Sequence, residues 1–110
     1  MSEIEEFQEQ LEELINSIQG VIERELPKLR GSERAEKCSY LRNRINRAKQ
    51  VHRSIVVEMR ELPAEGVAVW KNKVEVYEGI ITKIVQDLDW AETSIDREAL
   101  AAKNSINRLT

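Results

Sequence analysis

The sequence is poor in the residues that build disulfide frameworks, tight turns and catalytic sites. Its 110 residues include one cysteine, one histidine, two prolines and four glycines. A single cysteine excludes an internal disulfide and favours a reducing compartment. A single histidine excludes a metal site or a mechanism built on two histidines, and no glycine-rich phosphate loop, zinc-ligand spacing or nucleophile elbow occurs. We therefore expect a protein that is not an enzyme and that carries no cofactor or metal.

Long apolar runs and an excess of positive charge are also missing. No apolar run approaches the roughly 20 residues that a membrane-spanning helix needs. The N-terminus, MSEIEEF, is acidic and therefore unlike a signal or transit peptide. A formal net charge of −3 argues against a general nucleic-acid binder. These absences predict a soluble, cytosolic chain that does not bind nucleic acid.

The abundant residues are those of helix surfaces and aliphatic cores. Charged residues make up 34% of the chain and hydrophobic residues 41%, while aromatic residues reach only 5%. A β-sandwich would require more turn-forming residues, so this composition favours an all-α protein. The length suits one domain with a single modest hydrophobic core.

Apolar residues recur at alternating steps of three and four in three stretches, which is the pattern of helices with one buried face. The predicted helices span residues 3-26, 32-62 and 66-95. Ser2 and Ser32 are the expected N-caps of the first two helices. Pro27 and Pro63 should end these helices, because proline lacks the backbone N–H that a helix interior uses.

The short connections between the helices predict their arrangement. Helices joined by a few residues lie side by side in opposite directions, so we expect an up-down-up, antiparallel, left-handed three-helix bundle. This domain covers residues 1-96 and should be monomeric. Residues 97-110 continue the apolar pattern weakly, which leaves open a linker or a helical extension.

Charge is distributed unevenly among the helices. Glutamate dominates the first helix, whereas arginine and lysine dominate the second. The simplest interpretation is that the basic strip partly neutralises the first helix, with contact to an acidic partner or anionic lipid headgroups as the alternative. In the second helix, Cys38 fits a buried structural thiol. His52 fits the edge of the core, with its polar atom reaching solvent or a backbone group.

Two tryptophans lie on the third helix. Trp70 fits the core-facing pattern, whereas Trp90 lies one step off it, beside Ala91. We expect Trp90 to be half-buried, with contact to a partner as the alternative.

Two runs of the sequence carry a family resemblance, ERAEKCSYLRNRINRAKQVHRSIVVEMRELP and VWKNKVEVYEGIITKIVQDLDWA. They combine an acidic-aromatic opening upstream, a charged start and a central alanine in the second helix, an E-x-R-x-x-P phrase at its end, and a basic pair with a tyrosine in the third helix. The residues concerned are Glu5-Glu6-Phe7, Glu33-Arg34, Ala48, Glu58, Arg60, Pro63, Lys71, Lys73 and Tyr77. In this order they resemble the N-terminal domain of Vti-type vesicle-transport SNAREs. The chain departs from that family after Pro63, where it has Ala64, Glu65 and Gly66.

The resemblance implies a Habc-like three-helix bundle that precedes a SNARE motif. It implies a non-catalytic interaction and regulatory domain of a Q-type SNARE in vesicle trafficking and membrane fusion. Such proteins lie on the cytosolic face of Golgi, endosomal and vacuolar membranes, held by a C-terminal anchor that this sequence does not include. The implied partners are SNARE proteins and the ENTH domains of epsin-related clathrin adaptors. The expected contact surface is the corner after the second helix, with Arg60, Glu65, Val67 and Val69.

Two alternatives follow from the residues. A spectrin-type repeat has a similar length and three antiparallel helices, and its helices continue into neighbouring repeats. This alternative makes the chain a structural scaffold. A bundle that binds membrane surfaces would use the basic residues Arg42, Lys49 and Arg53.

Overall fold

The chain folds into three long helices. The computed structural model describes the backbone of residues 2-109 and the side chains of residues 2-93. The helices are α1 (Glu3–Gly20), α2 (Gly31–Met59) and α3 (Ala64–Leu109), and no strand occurs in the described backbone. The predicted all-α, three-helix bundle is therefore confirmed, while the up-down-up order of its helices and the left-handedness of the bundle stay predictions.

Aliphatic side chains from all three helices form one hydrophobic core. The largest side chains that are completely enclosed are Leu11, Ile18, Leu26, Leu41, Val51, Ile55 and Leu88. Burying a side chain of this size stabilises the folded state by roughly 1.5–3 kcal/mol. The core residues recur at the three- and four-residue steps that the sequence predicts, so each helix contributes one continuous buried face.

The first helix is prolonged by two irregular turns. A π-helical turn, Val21–Glu25, follows α1, and a 3-10 turn, Leu26–Lys28, contains Pro27. A π turn holds one residue more than an α turn, so it shifts which of the following residues face the core. Leu26 is consequently 1% exposed, and Glu25, which an unbroken α-helix would turn inward, is exposed.

Only one of the two predicted N-caps is correct. Ser2 is the N-cap of α1, although its hydroxyl donates to the Glu5 carboxylate (2.8 Å) and caps no backbone N–H. The prediction that Ser32 caps α2 is wrong, because α2 begins one residue earlier and Arg30 is its N-cap. Gly31 adopts φ of +58°, a left-handed conformation that glycine tolerates, and this lets the chain enter the helix sooner.

The turn between α2 and α3 is formed by residues 60-63. α2 ends at Met59, three residues before the predicted end, because the backbone N–H groups of Glu61 and Leu62 bond three residues back (3.1 Å each) in a tighter turn. α3 begins at Ala64, two residues before the predicted start, and runs to Leu109. The backbone of residues 97-109 is therefore helical.

Candidate functional site

The predicted contact surface is the turn after α2 together with the first turns of α3, residues 60-69, which we call the corner. Its backbone is held by hydrogen bonds from the N–H of Arg60 to the Val57 carbonyl (3.2 Å) and from the N–H of Val67 to the Pro63 carbonyl (3.0 Å). Because these backbone groups are satisfied locally, the corner presents its side chains from a fixed frame.

The four residues predicted for partner binding divide between two faces. Arg60 and Glu65 are exposed, and Val69 is exposed at 56%. Val67 is half-buried, because it lies two residues, or about 200° of helix rotation, from both Glu65 and Val69. The structure therefore brings Glu65 and Val69 together on the outer face of α3 and turns Val67 away from them.

One exposed apolar residue beside the corner was missed from the sequence. Val76 is 61% exposed and lies two helical turns beyond Val69, on the same outer face of α3. We call Glu65, Val69 and Val76 the outer stripe. The seven-residue step between the two valines is visible in the sequence, but it gives no sign of which exposed valines a partner would use.

The surroundings of the corner are acidic. The pKa of Glu58 is raised from its ordinary value by partial desolvation and by the neighbouring carboxylates of Glu3 and Glu61. Three carboxylates thus repel one another at the end of α2, next to Arg60. A partner that approached this end of the bundle would gain from carrying positive charge.

The basic strip of α2 borders both neighbouring helices. Arg42 donates from Nε to Glu92 Oε1 (2.8 Å) and from Nη2 to Asp89 Oδ1, both on α3. On the other side, Arg44 and Arg47 line a groove together with Glu13 of α1. Arg42 is therefore paired with α3, while neutralisation of α1 by the basic strip stays a prediction.

A concave pocket of about 250 Å³ lies further along the groove between α2 and α3. We call it the α2/α3 pocket, and the residues that line it are Lys49, His52, Arg53, Glu78, Ile81 and Thr82. The half-buried His52 has Nε2 3.0 Å from the backbone carbonyl of Val74. This contact confirms the prediction that its polar atom reaches a backbone group.

A hydrogen-bonded cluster joins α1 to α3. The Tyr77 hydroxyl donates to Glu12 Oε1 (2.5 Å) and accepts from Gln8 Nε2 (2.8 Å). Burial is the main cause that raises the pKa of Tyr77, and the hydrogen bond with Glu12 adds to it. The ring lies in the core and only its polar end reaches these two side chains.

Cys38 and Trp70 lie in the core, as predicted. Burial raises the pKa of the Cys38 thiol, which opposes thiolate formation. The expectation that Trp90 is half-buried is wrong, since it is 62% exposed. Its position one step off the core-facing residues of α3 turns the ring outward, and Ala91 takes the buried place.

No group of three or more His, Cys, Asp and Glu side chains in the described part of the chain is placed to hold a metal ion. Within the same part, no helix has the length and apolar character needed to cross a bilayer. Comparison of the chain with known protein families, with curated proteins and with solved structures gives no match.

Proposed function

We propose that this chain is a non-catalytic recognition domain of a Q-type SNARE, which acts in vesicle trafficking and membrane fusion at Golgi, endosomal or vacuolar membranes. The proposal rests on the residue order that resembles Vti-type N-terminal domains, together with the three-helix bundle. Its partners would be SNARE proteins and an ENTH-type adaptor domain, which would sort the SNARE into vesicles.

The observation that carries a recognition role is the outer stripe. Val69 and Val76 expose more than half of their surface beside Glu65, at the end of the bundle where the corner is fixed by backbone hydrogen bonds. Apolar side chains that stay exposed on a rigid helix can be buried by a partner at little conformational cost. Arg60 lies in the adjoining turn and supplies a cation for the rim of such a contact.

The test is a titration of the chain with ENTH-type adaptor domains and, separately, with SNARE motifs, followed by calorimetry. We expect saturable binding that the double variant Val69→Ser/Val76→Ser weakens at least about tenfold, because it removes the apolar contact. The matched control is Val57→Ser, which changes a valine that is 53% exposed on α2 and should alter affinity less than about twofold.

Two results would contradict the proposal. Absence of binding to every adaptor and SNARE motif in the panel would remove the recognition role. Equal weakening by the outer-stripe variant and by Val57→Ser would show that the partner does not use this surface.

The spectrin-like scaffold is the second candidate, and one observation favours it. α3 continues as a single helix to Leu109, as a helix does when it connects one repeat to the next. The encoding gene distinguishes the two candidates. A SNARE heptad region with a central glutamine and then about 20 apolar residues supports the first, whereas tandem copies of this three-helix pattern support the second.

A further inference from the structure

We infer that the α2/α3 pocket binds a phosphate monoester, either on a soluble ligand or on a lipid headgroup. The pocket lies between α2 and α3, away from the outer stripe, and its ligand is not a protein. The inference is therefore independent of the proposed SNARE function, and either one stands if the other fails.

The pocket carries two cations from one face of α2. Lys49 and Arg53 are four residues apart, so they lie one turn above each other. In the described part of the chain neither forms an ion pair, whereas Arg42, further along the same groove, is held by Asp89 and Glu92. An arginine fork and a lysine ammonium are the donors that proteins use most often for phosphate oxygens.

His52 lies on the same wall, and its ring is held by the backbone of α3. Its Nε2 lies 3.0 Å from the Val74 carbonyl, and a carbonyl only accepts, so Nε2 carries the hydrogen and the ring is held in place. The remaining nitrogen, Nδ1, is an acceptor in this tautomer, so the donors for a phosphate come from Lys49 and Arg53.

The other side of the pocket comes from α3. Ile81 is 7% exposed and gives the pocket an apolar floor. The Thr82 hydroxyl donates to the Glu78 backbone carbonyl (2.9 Å), so its proton is not available to a ligand. The Glu78 carboxylate also lines the pocket and opposes an anion, but two cations face this one carboxylate. A phosphate monoester, with close to two negative charges, matches the charges of Lys49 and Arg53, and the Glu78 carboxylate leaves the pocket with a net charge of about +1.

This balance of charge makes the inference testable by opposite effects. Removing the cations should weaken binding, while removing the Glu78 charge should strengthen it. General attraction to a basic surface would instead respond to any change of net charge, wherever it is made.

The experiment titrates the ¹⁵N-labelled chain with glycerol 3-phosphate at constant ionic strength. We expect saturable amide shifts around Lys49, His52 and Arg53. Lys49→Ala/Arg53→Ala should weaken binding at least about tenfold, and Glu78→Gln should tighten it about threefold. The controls with matched charge are Arg47→Ala/Lys71→Ala and Glu23→Gln, which lie outside the pocket and should change the affinity less than about twofold.

Binding to vesicles distinguishes a lipid headgroup from a soluble phosphate ligand. Flotation with phosphatidylinositol 4-phosphate in phosphatidylcholine, compared with phosphatidylcholine alone, should recover the chain if the ligand is a headgroup. Binding of glycerol 3-phosphate without flotation identifies a soluble ligand. Absence of saturable shifts together with absence of flotation would overturn the inference. Equal losses of affinity for glycerol 3-phosphate in the pocket variant and in its charge-matched control would overturn it too. Circular dichroism of each variant establishes that the helices are intact.

Discussion

The Tyr77 hydroxyl and the Glu12 carboxylate lie 2.5 Å apart and join α3 to α1 at the edge of the core. The two residues are 65 positions apart in the chain, so their contact depends on the register in which the helices pack. Gln8 completes the cluster by donating to the same hydroxyl. Because the ring of Tyr77 is buried and its oxygen is bonded to both side chains, this cluster favours the axial position of α1 against α3 that the core packing sets.

Replacement of Tyr77 by phenylalanine should destabilise the fold. The ring and its apolar contacts are kept, but both hydrogen bonds are lost, which should lower the free energy of unfolding by about 1–2 kcal/mol. Urea unfolding followed by circular dichroism measures the change. Tyr40→Phe is the matched control, because Tyr40 is 47% exposed and should change stability by less than about 0.5 kcal/mol. Equal effects of the two substitutions would contradict a structural role for the cluster.

The stabilisation from Tyr77 should also disappear in alkaline solution. Its pKa is raised above the ordinary value of 10.0, mainly by burial and then by the Glu12 hydrogen bond. The unfolded chain therefore loses this proton first, so the contribution is complete below about pH 10 and falls as pH rises above that value. The stability difference between the native chain and Tyr77→Phe, measured in urea from pH 8 to pH 11, should shrink above pH 10. A difference that grew with pH would have the wrong sign.

Gly79 is a place where α3 can be strengthened. It lies within the helix, is exposed, and an added Cβ would meet no atom within 4 Å. Gly79→Ala should raise the free energy of unfolding by about 0.5–1 kcal/mol, because alanine loses less backbone freedom on folding. Thermal and urea unfolding of the variant and the native chain both measure this gain in stability.

Gly31→Ala is the counterpart with the opposite expected sign. The space around Gly31 is also open, but its φ of +58° strains any residue with a Cβ. The substitution should lower stability by about 1 kcal/mol. If both alanine variants were stabilising, the left-handed start of α2 would be contradicted.

Arg42 should couple energetically to α3. Its guanidinium contacts both Asp89 and Glu92, but the pair is partly exposed, with 39% of the Arg42 side chain accessible. We expect Arg42→Gln to cost about 0.5–1 kcal/mol at low salt and less at 0.5 M salt, because solvent screens exposed ion pairs. A double-mutant cycle with Glu92→Gln isolates the coupling. The comparison pair is Lys83 and Asp87, which lie one turn apart on α3 and should couple by about 0.3 kcal/mol.

Much of the fold could be predicted from the sequence because it depends on helical periodicity. The three- and four-residue spacing that places Leu11, Leu41 and Leu88 in the core is visible within each helical segment. The two prolines mark where the chain turns. Val51 was missed because the spacing also fits His52. At two neighbouring positions that both suit the pattern, the aliphatic side chain takes the interior and the imidazole the edge.

The candidate sites could be predicted less well. The exposure of Arg60, Glu65 and Val69 follows from local turns and helix rotation, and so does the half-buried position of Val67. The α2/α3 pocket and the Tyr77 cluster depend on how far one helix slides along another. That offset is set by packing over the whole core, and no short segment of sequence encodes it.

The π-helical turn at Val21–Glu25 also bears on how the chain tolerates changes in its length. The turn holds a surplus residue, so deleting Glu23 would convert it to an α turn and leave Leu26 facing inward. Deleting Glu9, in the regular part of α1, would rotate one half of the helix by about 100° relative to the other. Residues that now lie in the core would then face solvent. A one-residue deletion in this helix should therefore be tolerated in the π turn and not in the regular turns before it.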